Sequence, residues 1–501
     1  MTESVRSLLQ HRAAERSEDV FAIFPADETA ITFGDLYLEA CRWVSHLRAQ
    51  GLGEGSRITI IAKKSRELLP AYFGSLLLGV AVHIVDERID HKDMVRSIGG
   101  FEPHLIVFDT FGATRLSELG SNAIPTSALL AADELTKFEP GIVNDVPADA
   151  PAICVFTSGS TGDPKGILSS HENLLFAAGC LDVHELSASD RALGLTPISG
   201  TNGQVFSIWA PLVTGGSTVL YQGMFSSFLA LDWASEHSAT WINGTPTYLS
   251  LFLANPVDRN DFDLAHLRFY RSASAPLPAP VQDGFEASYQ IPIIETMGLS
   301  EMTGQVFANP PAVSERRQGS VGQPWRTDLR IVDPDGRDVE VGTVGELEVR
   351  SKGLMLGYHR DPETTAKAIT DGWLRTGDLG LQDEDGFVFI KGRKKDIAIV
   401  GGKNVSLREV DDALYRLEGV QLATSFSVPD QTGGERIVAV LQLQPSASSD
   451  IEQLTLALRD DLAPYQRPKE IIVWDALVTG GAGKVLRSRA RQEYLQEYEE
   501  S

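Results

Sequence analysis

Along the chain the spacing of apolar positions changes several times, and each change marks a different kind of element. Between residues 31 and 60 a helix-like stretch follows Thr32 and Asp35, side chains suited to helix capping, and leads into the β-rich run Arg57 to Ala62. Leu68 to Val85 is the most apolar stretch, yet it carries Pro70, Gly74, Ser75, Gly79 and His83 and is barely long enough to span a bilayer. A buried helix running into a buried strand accounts for it better. Helical and strand-like segments then alternate, the pattern of an α/β architecture. A loop rich in Pro, Asp and Ala, Glu139 to Pro151, precedes an apolar strand, Ala152–Phe156. From Asp333 to Ile390 the pattern turns to short β segments punctuated by Asp335-Gly336 and Asp385-Gly386. The basic cluster Gly392-Arg393-Lys394-Lys395-Asp396 follows, and beyond it lie about a hundred residues with their own periodicities, enough for a small separate domain.

Composition narrows the setting. A chain of 501 residues is too long for one ordinary core. With 43% hydrophobic and 22% charged residues it has the balance of a soluble globular protein. A formal net charge of -24 repels phosphate backbones and anionic lipid surfaces, so neither nucleic acid nor membrane is an expected partner. Three scattered cysteines, Cys41, Cys154 and Cys180, give no disulfide or zinc framework and fit a reducing compartment. No apolar signal segment is visible at the N-terminus, so the expected location is cytoplasmic.

The chemistry concentrates in Thr157-Ser158-Gly159-Ser160-Thr161-Gly162-Asp163-Pro164-Lys165-Gly166, just after the predicted strand. Three glycines let the loop bend and aim N–H groups and hydroxyls at phosphate oxygens, and Lys165 adds a positive charge. It is not a Walker A loop, because Gly-Lys-Ser/Thr opening a helix is missing.

The decamer resembles the phosphate loop of the adenylate-forming (ANL) superfamily, which includes acyl-CoA synthetases, luciferases and peptide-synthetase adenylation domains. Met297-Gly298-Leu299-Ser300-Glu301, Trp373-Leu374-Arg375-Thr376-Gly377-Asp378, Gly392 to Asp396, Gly401-Gly402-Lys403-Asn404 and Gly481-Ala482-Gly483-Lys484 resemble further motifs of that family, in its order. The resemblance implies a large, multi-subdomain N-terminal adenylation domain over residues 1–392, its sheets flanked by helices. It also implies a hinge at 393–396 with Lys395 as pivot, and a small mobile α/β C-terminal domain over 397–501 carrying a catalytic lysine, Lys484. The implied nucleotide contacts are Thr157, Ser158, Gly159, Ser160, Thr161, Gly162, Lys165, Ala273, Ser274, Ala275, Thr296, Met297, Gly298, Ser300, Asp378 and Arg393. Asp378 and Arg393 would meet the ribose, Glu301 would hold Mg2+, and Lys165, Glu301 and Lys484 would stabilise charge in the transition state.

The implied activity is ATP-dependent conversion of a carboxylic acid to an acyl-adenylate with release of pyrophosphate, then transfer to the thiol of CoA near Gly401, Gly402 and Lys403. An amine, a carrier protein or another nucleophile is the alternative acceptor; a nucleotide-binding protein without activity is the reading from another class. Retention of Lys165, Glu301, Asp378, Arg393 and Lys484 together argues against the latter. By position Ser199, Asn202, Trp241, Asn243 and Gly244 are candidates for the acyl pocket, with Ala273, Ser274, Thr296 and Met297 beside them. Pro197-Ile198-Ser199-Gly200 stands where the family often has Pro-Leu-Phe-His, Met297 where an aromatic is common, and Leu407 and Val478 where proline is common. The expected acid is therefore small or polar, or aromatic with a hydrogen-bonding substituent, and not a long fatty acid. The sequence leaves the oligomeric state open.

Overall fold

The computed structural model describes residues 4–85, 89–118, 124–157, 164–430, 434–444, 447, 450–479 and 485–498. The helix Phe33–Ala49 starts where the Thr32 hydroxyl accepts the Asp35 N–H at 3.0 Å, and the strand Arg57–Ile61 follows. The apolar stretch is a helix, Leu68–Leu77, with every side chain buried, leading into the buried strand Ala81–Val85. Among the described residues no helix is long and apolar enough to cross a membrane.

Three sheets build the larger part. The first has nine strands; its centre, from Val20–Phe24 through Ser217–Leu220, Arg191–Gly194, Trp241–Gly244 and Phe269–Ser272 to Ile293–Leu299, is parallel. The second has seven strands, with Arg57–Ile61, Ala81–Val85 and Pro151–Thr157 parallel and the hairpin partner Lys165–Ser170 antiparallel. The main core joins both sheets through side chains such as Phe21, Ile58, Phe73, Ile153 and Trp209, each worth roughly 1.5–3 kcal/mol when removed from water. The third sheet is antiparallel, from Asp328–Val332 through Gly345–Arg350 and Trp373–Gln382 to Val388–Arg393. Its turns include Asp335-Gly336 and Asp385-Gly386, whose glycines have φ of 81° and 85°.

The smaller part carries a hairpin, Ile397–Val400 with Lys403–Ser406, and a three-stranded sheet, Val420–Pro429, Glu435–Leu443 and Glu470–Val473. Among the described residues its apolar clusters draw on side chains from Ala398 to Leu495 only, and the other clusters on side chains up to Ile390. Polar contacts cross between them, Arg489 reaching Asp90 at 2.8 Å and Asp93 at 3.1 Å, and Lys394 in the connecting segment reaches Glu346 at 2.5 Å.

One element has no periodic signature in the sequence. Asn202–Trp209 is a π-helix, the wide form found at functional sites. Gly203 permits it, since a Cβ there would lie 1.9 Å from the Pro197 carbonyl oxygen.

Candidate active site

Thr157 and Lys165 pair at the loop end of the hairpin formed by Pro151–Thr157 and Lys165–Ser170. Ser158, Gly159, Ser160, Thr161 and Gly162 lie outside the described residues. The Lys165 ammonium sits 5.3 Å from the ring centroid of Tyr358, whose hydroxyl donates to Glu301 Oε1 at 3.0 Å. Tyr358 is held there because Gly357–Tyr358 pairs with the same strand that carries Lys165, while Met355 N–H donates to the Glu301 carbonyl at 2.8 Å. Burial and the adjacent Glu301 carboxylate raise the Tyr358 phenol, so it stays a proton donor at neutral pH. Sequence reasoning missed Tyr358; the segment Gly357-Tyr358-His359-Arg360-Asp361-Pro362 was the available signal.

Asp378 and Arg393 pair across antiparallel strands. Asp378 is 2% exposed; its Oδ1 accepts the Arg393 Nε–H at 2.8 Å, and its buried Oδ2 has no partner among the described residues. A buried carboxylate oxygen left without a donor is costly, and a ligand hydroxyl is the kind of group that would satisfy it.

The C-terminal ends of the parallel strands supply a third wall, the usual location for ligands in such sheets. There Ala273 is buried, Ser274 is exposed with a left-handed φ of 74°, and partly buried Ala275 follows. A non-glycine residue in that region carries strain that its surroundings must hold. The Thr296 hydroxyl donates to the Ser272 carbonyl at 3.3 Å; Met297 and Gly298 flank a bulge, and the Ser300 and Thr201 hydroxyls are 3.3 Å apart.

The acyl-pocket candidates divide. Asn202 and Asn243 meet around Arg271, which the sequence reading passed over. Arg271 is 0% exposed; its Nη1 donates to Asn202 Oδ1 at 3.1 Å and Asn243 Oδ1 at 3.0 Å, and its Nε and Nη2 donate to Gln305 Oε1 at 3.3 and 3.1 Å. Asn202 Nδ2 in turn donates to Ser274 Oγ at 3.0 Å. Ser199 lines a cleft with Lys64, Tyr221 and Tyr248, in which the Lys64 ammonium donates to the Thr196 and Tyr221 carbonyls at 2.9 and 2.8 Å. Trp241 is packed in the main core, stacked on Phe269 at 5.9 Å. Gly244 lies so close to Tyr270 that a Cβ would sit 1.8 Å from the phenol oxygen.

Lys395 occupies the short 3-10 turn Lys394–Asp396; burial first, then nearby Arg393, lowers its ammonium below the ordinary lysine range. Arg487 reaches back to this turn, at 2.7 Å from Asp396 and 2.5 Å from Asp411. Gly401 and Gly402, with φ of 57° and 75°, form the exposed two-residue turn of the hairpin, which needs positive φ at both positions. The Lys403 ammonium lies 4.2 Å from the Tyr465 ring centroid. Lys484 and the preceding Gly481-Ala482-Gly483 lie outside the described residues. Among the described residues no group of three or more His, Cys, Asp or Glu could hold a metal ion by itself. A cation beside Glu301 would draw its other ligands from phosphate and water, the habit of Mg2+.

Two family models match the chain. That of the AMP-binding enzymes covers residues 9–359, and that of the AMP-binding enzyme C-terminal domain covers residues 409–484. The chain belongs to the AMP-binding enzyme family. A sulfoacetate–CoA ligase of Cupriavidus necator is 34% identical over 497 residues, covering 97% of each chain. The ATP-bound structure of MatB from Rhodopseudomonas palustris superimposes with a TM-score of 0.88 at 27% identity, covering 99% of this chain and 100% of that one. The o-succinylbenzoate coenzyme A synthetase of Bacillus subtilis, in complex with ATP and magnesium ion, gives 0.84 at 25% identity, covering 97% and 99%. Asp378 and Arg393 fall between the two matched segments, so a role for them rests on their geometry.

Proposed function

We propose that this member of the family is an AMP-forming acid–thiol ligase. A carboxylate oxygen attacks the α-phosphorus of ATP, the bond to the β-phosphate oxygen breaks, and pyrophosphate leaves. The CoA thiol, losing its proton, then attacks the acyl carbon of the adenylate and AMP leaves with its phosphate oxygens. The observation that carries this reading is the free buried oxygen of Asp378 next to the charge of Arg393, an acceptor suited to a ribose hydroxyl. The Lys165–Tyr358–Glu301 chain supports a phosphate site near the hairpin end, with Tyr358 fixing the carboxylate that would hold Mg2+. Bound there, the metal would neutralise phosphate charge.

Lys484 is assigned the second ammonium, bridging carboxylate and α-phosphate as charge develops. Lys395 is assigned the hinge: residues 393–396 lie between two sets of apolar clusters that share no side chain, so a change of dihedral there need not unpack a core. The turn Gly401-Gly402 and Lys403 are assigned to the approach of the thiol. The name of the Cupriavidus necator relative supports a small polar acid as substrate. The test is release of AMP and pyrophosphate from ATP, dependent first on an acid and then accelerated by CoA. ADP and orthophosphate as products would overturn the proposal.

A further inference from the structure

Arg271 brings a full positive charge into the interior of the large domain. It stands on the strand Phe269–Ser272 and is 0% exposed. Its hydrogen bonds all end on neutral amide oxygens, those of Asn202, Asn243 and Gln305, and its guanidinium carbon lies 3.7 Å from the ring centroid of Phe206. Among the described residues no carboxylate forms an ion pair with it. Burial lowers the guanidinium to about 9, which leaves it charged at neutral pH. Amide oxygens and an aromatic face offset part of the desolvation, yet an apolar side chain of similar volume would meet no such penalty. A charge kept at that cost without a counter-ion is suited to an anion that arrives from outside.

The route for that anion runs past Asn202. Asn202 is partly buried, and it links Arg271 to the exposed Ser274 at the end of the sheet. Its Oδ1 sits where an anionic oxygen would accept from Nη1. We propose that Arg271, with Asn202, Asn243 and Gln305, receives a second negative charge on the acid substrate. The substrate is then a short carboxylic acid with a carboxylate or sulfonate at its other end. It is short because a single amide side chain separates Arg271 from Ser274, in the turn assigned to the adenylate. This rests on the ligase reading and narrows its substrate class.

The test uses the full-length enzyme and acid-dependent pyrophosphate release with matched pairs: malonate against propionate, succinate against butyrate, and sulfoacetate as the sulfonate arm. The dianionic member is expected to have a kcat/KM at least about 100-fold higher, since a site built for a charged partner rejects the analogue that lacks it. Arg271→Met should collapse that ratio to below about 10-fold, with Arg271→Lys retaining part of it. Asn202→Asp places a carboxylate beside Arg271 and should raise KM for the dianionic acid far more than it lowers kcat, in a chain whose core is unchanged. Faster turnover of the sulfonate or of the dicarboxylate identifies the anion, and either supports the proposal. A wild-type preference for monoanionic acids overturns it while leaving the ligase reading intact, as does equal loss on both members of each pair in Arg271→Met and Asn202→Asp. Absence of pyrophosphate release with every acid overturns both.

Discussion

Asp378 and Arg271 are both buried charges, and the protein provides for them in opposite ways. Asp378 has a cation 2.8 Å away and keeps one oxygen without a partner among the described residues. Among the described residues Arg271 has no anion; amide oxygens hold it from three sides and an aromatic ring covers one face. At the first site charge is already balanced, and what is missing is a hydrogen-bond donor, a demand that the hydroxyls of any ATP meet. At the second site charge itself is missing, a demand that few acids meet. On the proposed reading, the nucleotide wall is built for a common partner and the acyl wall for a selective one.

The largest expected effect removes the cation that neither wall supplies. Lys484→Ala should lower adenylate formation by about a thousand-fold or more, while thioester formation from synthetic acyl-adenylate stays close to wild type. Rates of the two half-reactions measured separately check this; equal damage to both would show that the lysine serves more than the first step.

The comparison itself is sharpened by crossing substitutions with substrates. Asp378→Asn should raise KM for ATP by roughly 10- to 100-fold, the scale of a hydrogen bond to a charged group, with a much smaller change in KM for the acid. Arg271→Met should show the reverse. If both variants shift both constants alike, the two walls are not separable. Lys395→Pro comes next: fixing φ at the turn should slow transfer to CoA by about 10-fold or more while adenylation persists.

The residues of the proposed nucleotide wall could be named from the sequence because they come in short runs. Trp373 to Asp378 and Gly392 to Asp396 are each continuous, and antiparallel register joins Asp378 to Arg393. The Thr32 cap, the buried stretch Leu68–Val85 and the Asp-Gly turns were legible for the same local reason. The acyl wall was named only in part: Asn202 and Asn243 stood among the candidates, while Arg271 and Gln305 did not. Arg271 is the one charged residue of the strand Phe269–Ser272, and its partners come from a π-helix, a neighbouring parallel strand and the strand Gly304–Ala308. Only tertiary packing brings Asn202, Asn243 and Gln305 to it, as only packing shows Trp241 lying on Phe269. Tyr358 is the intermediate case, in a readable segment but with a partner, Glu301, fixed by sheet pairing.

An effect on stability alone, and none on turnover, is expected from a third buried charge on the neighbouring strand. Glu295 pairs in register with Ser272, so it points to the opposite face of the sheet from Arg271. Burial raises its carboxyl to about 7 against the lesser pull of Arg408, and its Oε2 has no partner among the described residues. With the folded pKa above the unfolded one, its destabilising effect is absent below the ordinary carboxylate range. It grows as pH rises toward about 7 and is constant beyond. Glu295→Gln should therefore gain stability relative to wild type over that window, by up to on the order of 3 kcal/mol. Melting temperatures of both proteins from pH 4 to 8 read the difference directly; parallel curves would place Glu295 in an ordinary carboxylate environment.

The measurement closest to the central claim is ATP–pyrophosphate exchange over a panel of carboxylic acids, with products identified in the presence and absence of CoA. The account predicts exchange only when a suitable acid is present, with AMP and pyrophosphate accumulating and a thioester appearing once CoA is added. Acid-independent hydrolysis of ATP to ADP and orthophosphate, with no exchange for any acid, would contradict it.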